Sequence, residues 1–130
     1  MESRSCFDNK ILDHLRIIAE DVPAVNSSRI CAAIVHHKKI VSIGINSRKT
    51  DTWAARFSKN PLATCIHAEV AAIKAAVNRI GKDALKDCSI YISRRKLING
   101  KWVDGLAKPC SGCQKAIDFF DIKKVVYTYE

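Results

Sequence analysis

Thr64-Cys65-Ile66-His67-Ala68-Glu69-Val70-Ala71-Ala72-Ile73-Lys74-Ala75-Ala76-Val77-Asn78-Arg79-Ile80-Gly81 decides the reading of this 130-residue chain. Ile66, Ile73, Val77 and Ile80 recur near helical spacing with alanines between them, which predicts an amphipathic helix over 64–80. Gly81 closes it, because glycine accepts the left-handed backbone that follows many helices. His67 and Glu69 then fall in the first turn, where backbone N–H groups without helical partners face anything negative.

A second stretch downstream completes the pattern: Pro109-Cys110-Ser111-Gly112-Cys113. Proline suits a helix start, so a helix is expected from Pro109 to Phe120 with Ile117 and Phe120 on its apolar side. Cys110 and Cys113 are three apart and project from one face of the first turn. A helix N-terminus lowers a thiol's pKa and so favours the thiolate that a metal takes. One imidazole and two thiolates leave a fourth tetrahedral position for water, which is how a catalytic zinc is held. His67, Cys110 and Cys113 are therefore the candidate zinc ligands. Glu69, surplus to coordination, is the candidate catalytic proton carrier.

Plainer readings exist for each part. A lone C-x-x-C is often a redox pair, and a lone histidine near a helix start is often a cap. A structural zinc would need a fourth ligand, and Cys65 is the nearest thiol. On a helix Cys65 and His67 diverge by about 200°, and Glu69 would then have no task. The joint spacing favours the catalytic site.

Composition bounds the rest. The length implies one domain over 1–130, large enough for a core and too short for two. No apolar run reaches membrane-spanning length, and the first ten residues carry charge without the apolar core of a secretory signal. Cys6, Cys31, Cys65 and Cys88 are scattered, which suits free thiols in a reducing, cytoplasmic setting (host cytoplasm if viral) better than a disulfide framework. Twenty-two Lys and Arg against 13 Asp and Glu give a formal charge of +9, a balance suited to an anionic substrate or a nucleic acid. Part of the excess is clustered. Arg48, Lys49, Arg56 and Lys59 lie just before the helix expected over 64–80, and Arg94, Arg95 and Lys96 follow a strand; Arg48, Lys49, Arg56, Arg94 and Arg95 are the candidate phosphate contacts.

The remaining elements follow from pattern. Asp8 is expected to cap a helix to about Asp21, with Ile11, Leu12, Leu15, Ile18 and Ala19 inward and Pro23 closing it. Segments 29–36 and 40–46 read as strands joined by a tight turn at His37-Lys38-Lys39. Segments 88–93 and 124–129 read as two further strands. The order α-β-β-α-β-α-β implies an α/β fold with right-handed crossovers, a partly parallel mixed sheet, and the metal site between two helix N-termini on one face. Asn99-Gly100 between Leu97-Ile98 and Trp102-Val103 signals an inserted β-hairpin. Trp102 there is either a packing residue or a shield for a bound base.

H-x-E followed by P-C-x-x-C is the signature of zinc-dependent nucleobase deaminases. From Asp8 to Tyr129 the chain resembles the cytidine/deoxycytidylate deaminase superfamily, and it looks most like small phage- or virus-type deoxycytidylate deaminase homologues. The resemblance implies a cytidine-deaminase-like fold, Zn2+ as cofactor, and base recognition by backbone groups around Ala68. Gly44-Ile45-Asn46 resembles the family's G-x-N element, which implies a sugar contact for Asn46. Family members usually have a fifth strand after the one at 124–129, which this order lacks, so a homo-oligomer is expected to complete the sheet or the site.

Three function classes follow: hydrolytic deamination of a cytosine mononucleotide (dCMP or CMP) to the uracil nucleotide, deamination of cytosine or adenine within single-stranded DNA or RNA, and non-catalytic zinc binding. The second needs aromatic stacking surfaces, and the chain has two Trp, three Tyr and four Phe.

Overall fold

The computed structural model describes residues 4–21, 29–46 and 67–129. Arg48, Lys49, Arg56, Lys59 and Cys65 lie outside the described residues, as does the expected first turn at 64–66.

Helix α1 (Cys6–Glu20) is capped by Ser5, not Asp8. The Ser5 Oγ accepts the Asp8 N–H at 3.0 Å, and Asp8 Oδ2 accepts the Ser5 N–H at 3.2 Å, a reciprocal box that satisfies two otherwise unpaired donors. Asp8 sits one turn inside because its other oxygen serves a buried contact. Tyr91 Oη donates to Oδ1 at 2.5 Å and Lys124 Nζ donates to the same atom at 3.0 Å. As expected, Ile11, Leu12, Leu15 and Ala19 are buried, with Ile18 packed beside them.

Strands β1 (Arg29–His36) and β2 (Lys39–Ile45) form an antiparallel hairpin. Its loop is two residues, His37 and Lys38, both at positive φ (50° and 64°), the geometry that matches the strands' own twist. Lys39 pairs with His36, so the turn is one residue shorter than expected.

Helix α2 (Ala68–Ile80) follows, then a short 3₁₀ helix (Lys82–Asp87) that the sequence pattern did not announce. Strand β3 runs from Cys88 to Ile98, well past the expected end at Ser93. It turns at Asn99-Gly100 (φ 51° and 77°) into β4 (Lys101–Gly105). The inserted hairpin is thus present, and its arms extend the sheet, so the order gains a strand over α-β-β-α-β-α-β. Helix α3 (Ser111–Phe119) and strand β5 (Lys124–Tyr127) complete the order. Among the described residues no strand follows β5.

The sheet is mixed and five-stranded. β1 is flanked by β2 and β3, both antiparallel. On the far side of β3, β5 pairs in parallel with its first half and β4 antiparallel with its second. One face carries α1 over Cys31, Ala33, Val35, Tyr91 and Val126. The other carries α2 and α3 over Ala32, Ile34, Ile90 and Ile92. This three-layer arrangement is the cytidine-deaminase-like fold.

Two rows across the sheet locate the site. Gly44, Ala32, Ile92 and Tyr127 lie side by side on β2, β1, β3 and β5. Two residues further, Ile30 pairs with Arg94 and Arg94 with Gly105, while Asn46 bonds to Ile30 through backbone and side chain.

Candidate active site

The close seat of α2 on β2 is set by Gly44. A Cβ there would stand 2.4 Å from both Ala68 O and Ala72 N, and 2.9 Å from Ala71 Cβ. Only a residue without a side chain lets the helix's first turn lie against the strand. Two residues earlier, the Ser42 hydroxyl donates to Ala72 O at 2.7 Å and pins the same turn. The sequence signal for this close approach was a glycine at a strand end, read there only as part of a resemblance.

His67 is the N-cap of α2, one position before the helix, and Ala68 and Glu69 are its first two residues. His67 makes no side-chain cap hydrogen bond, so its ring is turned to another use. Cys110 is likewise the N-cap of α3, with Pro109 just outside the helix instead of opening it. Cys110 Sγ accepts the Cys113 N–H at 3.4 Å, a capping bond that a thiolate strengthens.

These elements bring three donors together. His67 Nδ1 stands 3.1 Å from Cys113 Sγ and 3.4 Å from Cys110 Sγ, and the three donor atoms lie within 4.8 Å of one another. Donors on one tetrahedral zinc stand roughly 3.5 Å apart, so the constellation is near that size. Two thiols and an imidazole are a zinc donor set with a remaining position. Among the described residues this is the one group of three or more potential metal donors.

The charges fit a cation. A hydrogen bond from Cys113, the His67 ring and the helix-start N–H bring the exposed Cys110 thiol down to about 3, against partial desolvation. The bond to Cys110, with burial, pushes Cys113 up, as expected of two thiols sharing one proton where no positive ion stands between them. His67, exposed at the helix start, is raised mainly through its bond to Cys110, against partial desolvation.

Glu69 is buried, at 5% exposure, and its Oε1 has no hydrogen-bond partner. Burial raises its pKa above the usual carboxylate value, with its own backbone N–H and the His67 ring opposing in part. A buried carboxylate oxygen without a donor is costly unless a ligand or proton faces it.

The other sequence candidates are placed less uniformly. Asn46 is buried, and its Oδ1 accepts the Ile30 N–H at 3.0 Å, fixing the end of β2 to the start of β1. Ala68 is fully buried under the first turn of α2. Arg94 and Arg95 part company across the sheet. Arg95 pairs with Asp104 at 2.6 Å and with Glu20 at 3.4 Å, while Asp104 also takes Arg16 at 2.9 Å, so this cation ties the hairpin to α1. Trp102 is half-buried beneath the Arg29 guanidinium, 5.1 Å from its ring centroid, and is not part of either core cluster.

No curated protein sequence matches the chain. Among solved structures, the chain resembles guanine deaminase from Bacillus subtilis (24% identity, TM-score 0.55), with 99% of this chain on 66% of that one. The chain thus spans about two thirds of that protein's length. It resembles the dCMP deaminase of cyanophage S-TIM5 in apo form (17%, TM-score 0.66), with 98% of this chain on 86% of that one. It also resembles a structure from work on A-to-I editing by tRNA:A34 deaminases at the tRNA wobble position (20%, TM-score 0.54; 92% and 75% covered). At these identities the likeness shows the fold. The sequence model of the cytidine and deoxycytidylate deaminase zinc-binding region matches residues 8–129. With nearly its whole length matched and a Cys-Cys-His group suited to Zn2+ at the meeting of two helix starts, the chain belongs to the cytidine and deoxycytidylate deaminase family.

Proposed function

We propose that the chain is a zinc-dependent hydrolytic deaminase of a cytosine mononucleotide, converting dCMP or CMP to the uracil nucleotide with release of ammonia. The observation that carries the reading is Glu69, buried with an unpartnered oxygen beside a convergent Cys-Cys-His group. A structural zinc site has no need of such a carboxylate, which argues against a non-catalytic role.

His67, Cys110 and Cys113 are the residues that would hold the zinc, which supplies Lewis-acid activation of a water at its remaining position. Glu69 moves the protons: it accepts one from the attacking water and delivers it to ring N3. It then takes the second proton from the new C4 hydroxyl and gives it to the amine as the C4–N bond breaks, so that the water's oxygen stays on C4 as the carbonyl and ammonia leaves. Its raised pKa suits a group that must both take and return a proton. Backbone groups at Ala68 orient the base and Asn46 the sugar, on the family resemblance. The 5′-phosphate falls to a cation among Arg48, Lys49, Arg56, Arg94 and Arg95.

The mononucleotide reading draws support from the cyanophage dCMP deaminase, which the chain covers to 86%. The formal charge of +9 favours a second reading, a base within single-stranded nucleic acid. A cytoplasmic location and a homo-oligomer of at least two copies belong to the proposal, the latter checked by sedimentation at micromolar concentration. No helix among the described residues is long and apolar enough to cross a membrane.

Ammonia release is the test, measured from cytidine, deoxycytidine, their 5′-phosphates and a short oligonucleotide. Turnover confined to the 5′-phosphates is expected. Release from the oligonucleotide alone would transfer the function to the second reading, and release from none would refute both.

A further inference from the structure

We infer that Thr128 is a positioning residue for the metal site, holding in place the link that delivers Cys110. The inference rests on the zinc reading of the Cys-Cys-His group and not on which substrate is deaminated.

The link needs holding. Of the two thiols, Cys113 is buried in the core beside Ala116 and Ile117, whereas Cys110 is exposed. The chain comes to Cys110 from β4 through residues 106–109, which belong to no helix or strand. Leu106 and Lys108 are exposed and Pro109 is half-buried. Ala107 is the buried residue of the four, and it lies in the same core as Cys113. Pro109 has no N–H to offer. Among the described residues, the one backbone hydrogen bond of this link runs from the Ala107 N–H to Thr128 O, at 3.0 Å.

That carbonyl is free for Ala107 because of the Thr128 hydroxyl. β5 pairs with β3 in parallel as far as Tyr127 opposite Ile92, and the Thr128 N–H then donates to Ile92 O at 3.1 Å. In a parallel ladder the next bond would run from the Arg94 N–H to Thr128 O. Here the Arg94 N–H donates instead to Thr128 Oγ1 at 3.1 Å, and that hydroxyl donates to Gly105 O at 2.8 Å. The hydroxyl stands in for the residue's own carbonyl and bridges Arg94 and Gly105, which are opposite each other on β3 and β4. Accepting and donating at one atom is what a hydroxyl does and a methyl cannot. Thr128 is fully buried, so bulk water does not replace it. One side chain thus joins β3, β4 and β5, and turns a main-chain carbonyl toward the path to Cys110.

Thr128→Val keeps the shape and removes the hydroxyl. Arg94 N–H and Gly105 O lose a partner, Thr128 O is drawn back toward Arg94, and Ala107 loses its anchor. Cys110 is then loosened while Cys113 keeps its place in the core.

The experiment is zinc affinity by competition with a chromogenic chelator, with thermal melting of the zinc-free form of each variant. Thr128→Val should bind zinc at least tenfold more weakly, and Thr128→Ser, which restores the hydroxyl, should stay within about twofold of the parent. Leu15→Ala is the control for stability alone. Leu15 is fully buried on the α1 side of the sheet, so its truncation should lower the melting temperature and leave zinc affinity within about twofold. An equal loss of affinity in Leu15→Ala and Thr128→Val overturns the inference, as does an equal loss in Thr128→Ser. If Thr128→Val does not fold, amide hydrogen exchange of the parent protein decides. The Ala107 N–H should stay protected after zinc is removed, because Thr128 holds the link without the metal. Exchange of Ala107 as fast as that of exposed Lys108 in the zinc-free protein overturns the inference. Ammonia release enters none of these readings. A chain that deaminates nothing refutes the proposed function and leaves the zinc result standing.

Discussion

Glu69 shows how much chemistry a single position acquires from its place in a helix. As the second residue of α2 it sits among the unpaired N–H groups of the helix start, beside the His67 ring, with a buried Oε1 that has no hydrogen-bond partner among the described residues. A residue so placed gains nothing for folding, because burying an unpartnered carboxylate oxygen is unfavourable. Replacing it should therefore spare the fold and end the reaction. Glu69→Gln keeps the shape and removes the proposed proton carrier, so ammonia release should fall by about 10³-fold. Zinc content measured on the same sample should stay near one per chain. Activity within tenfold of the parent would show that another group moves the protons, and loss of zinc would make Glu69 a ligand. His67, Glu69, Cys110 and Cys113 were all legible in the sequence, since their spacing on two helix starts is itself the signal. The part played by Gly44 was not. What a glycine at a strand end does depends on which backbone crosses it, and that is decided by how the helix seats on the sheet. Gly44→Ala forces its Cβ against backbone atoms at 2.4 Å, with no flexible side chain to give way. The first turn of α2 must lift, with a stability loss of about 1–3 kcal/mol. Thermal melting checks the fold, and zinc affinity checks the displacement of His67.

At the scale of elements, the expected helices and hairpins are present, with ends shifted by caps and turn types that only tertiary contacts choose. Asp8 illustrates why. Its polarity and position near a helix start made it the natural cap, yet Ser5 takes that role and Asp8 is drawn inward by Tyr91, itself 1% exposed. The extension of β3 was hidden for a similar reason: Arg94-Arg95-Lys96 reads as a cationic run that follows a strand, and only pairing with β1 and β4 reveals a continuing strand. Asp8 also makes α1's attachment dependent on pH. Burial alone would raise its pKa, but hydrogen bonds from Tyr91, Lys124 and the Ser5 backbone outweigh it and bring the carboxyl from 3.8 to about 2. A carboxyl depressed by folding stabilises the native state fully above its unfolded value and loses that contribution as pH falls toward its folded value. The contribution here is on the order of 2 kcal/mol, present above about pH 4 and lost between pH 4 and 2. Urea denaturation at stepped pH measures it. Asp8→Asn should be less stable than the parent at pH 6, with the gap closing by pH 2. A gap independent of pH would mean that shape, and not charge, holds α1 on the sheet.

The whole molecule adds what no single element contains, a formal charge of +9 spread over a small surface. Some of this charge is spent internally. Arg16 and Arg95 converge on Asp104, and Lys124 is held by Asp8, so these cations fasten α1 and the β3–β4 hairpin to the sheet. Such pairs were out of reach of the sequence, where Arg94 and Arg95 are equivalent neighbours. The folded molecule's response to salt then separates the two substrate classes. A mononucleotide meets one phosphate subsite, so its affinity should fall only gently as salt rises. A single strand laid along several cations releases counterions, and its binding constant should drop by roughly 0.7 log units per tenfold salt for each phosphate contacted. Titration of dCMP and of a fluorescent 12-nucleotide oligonucleotide across the same salt series reads both slopes on one preparation. The mononucleotide reading predicts a shallow dCMP slope, with oligonucleotide binding weak at low salt and absent at physiological salt. An oligonucleotide slope near −3, with affinity retained at physiological salt, would mean four or so phosphates engaged together. The basic surface would then belong to the substrate's backbone, and the deaminated base would be one carried within a strand.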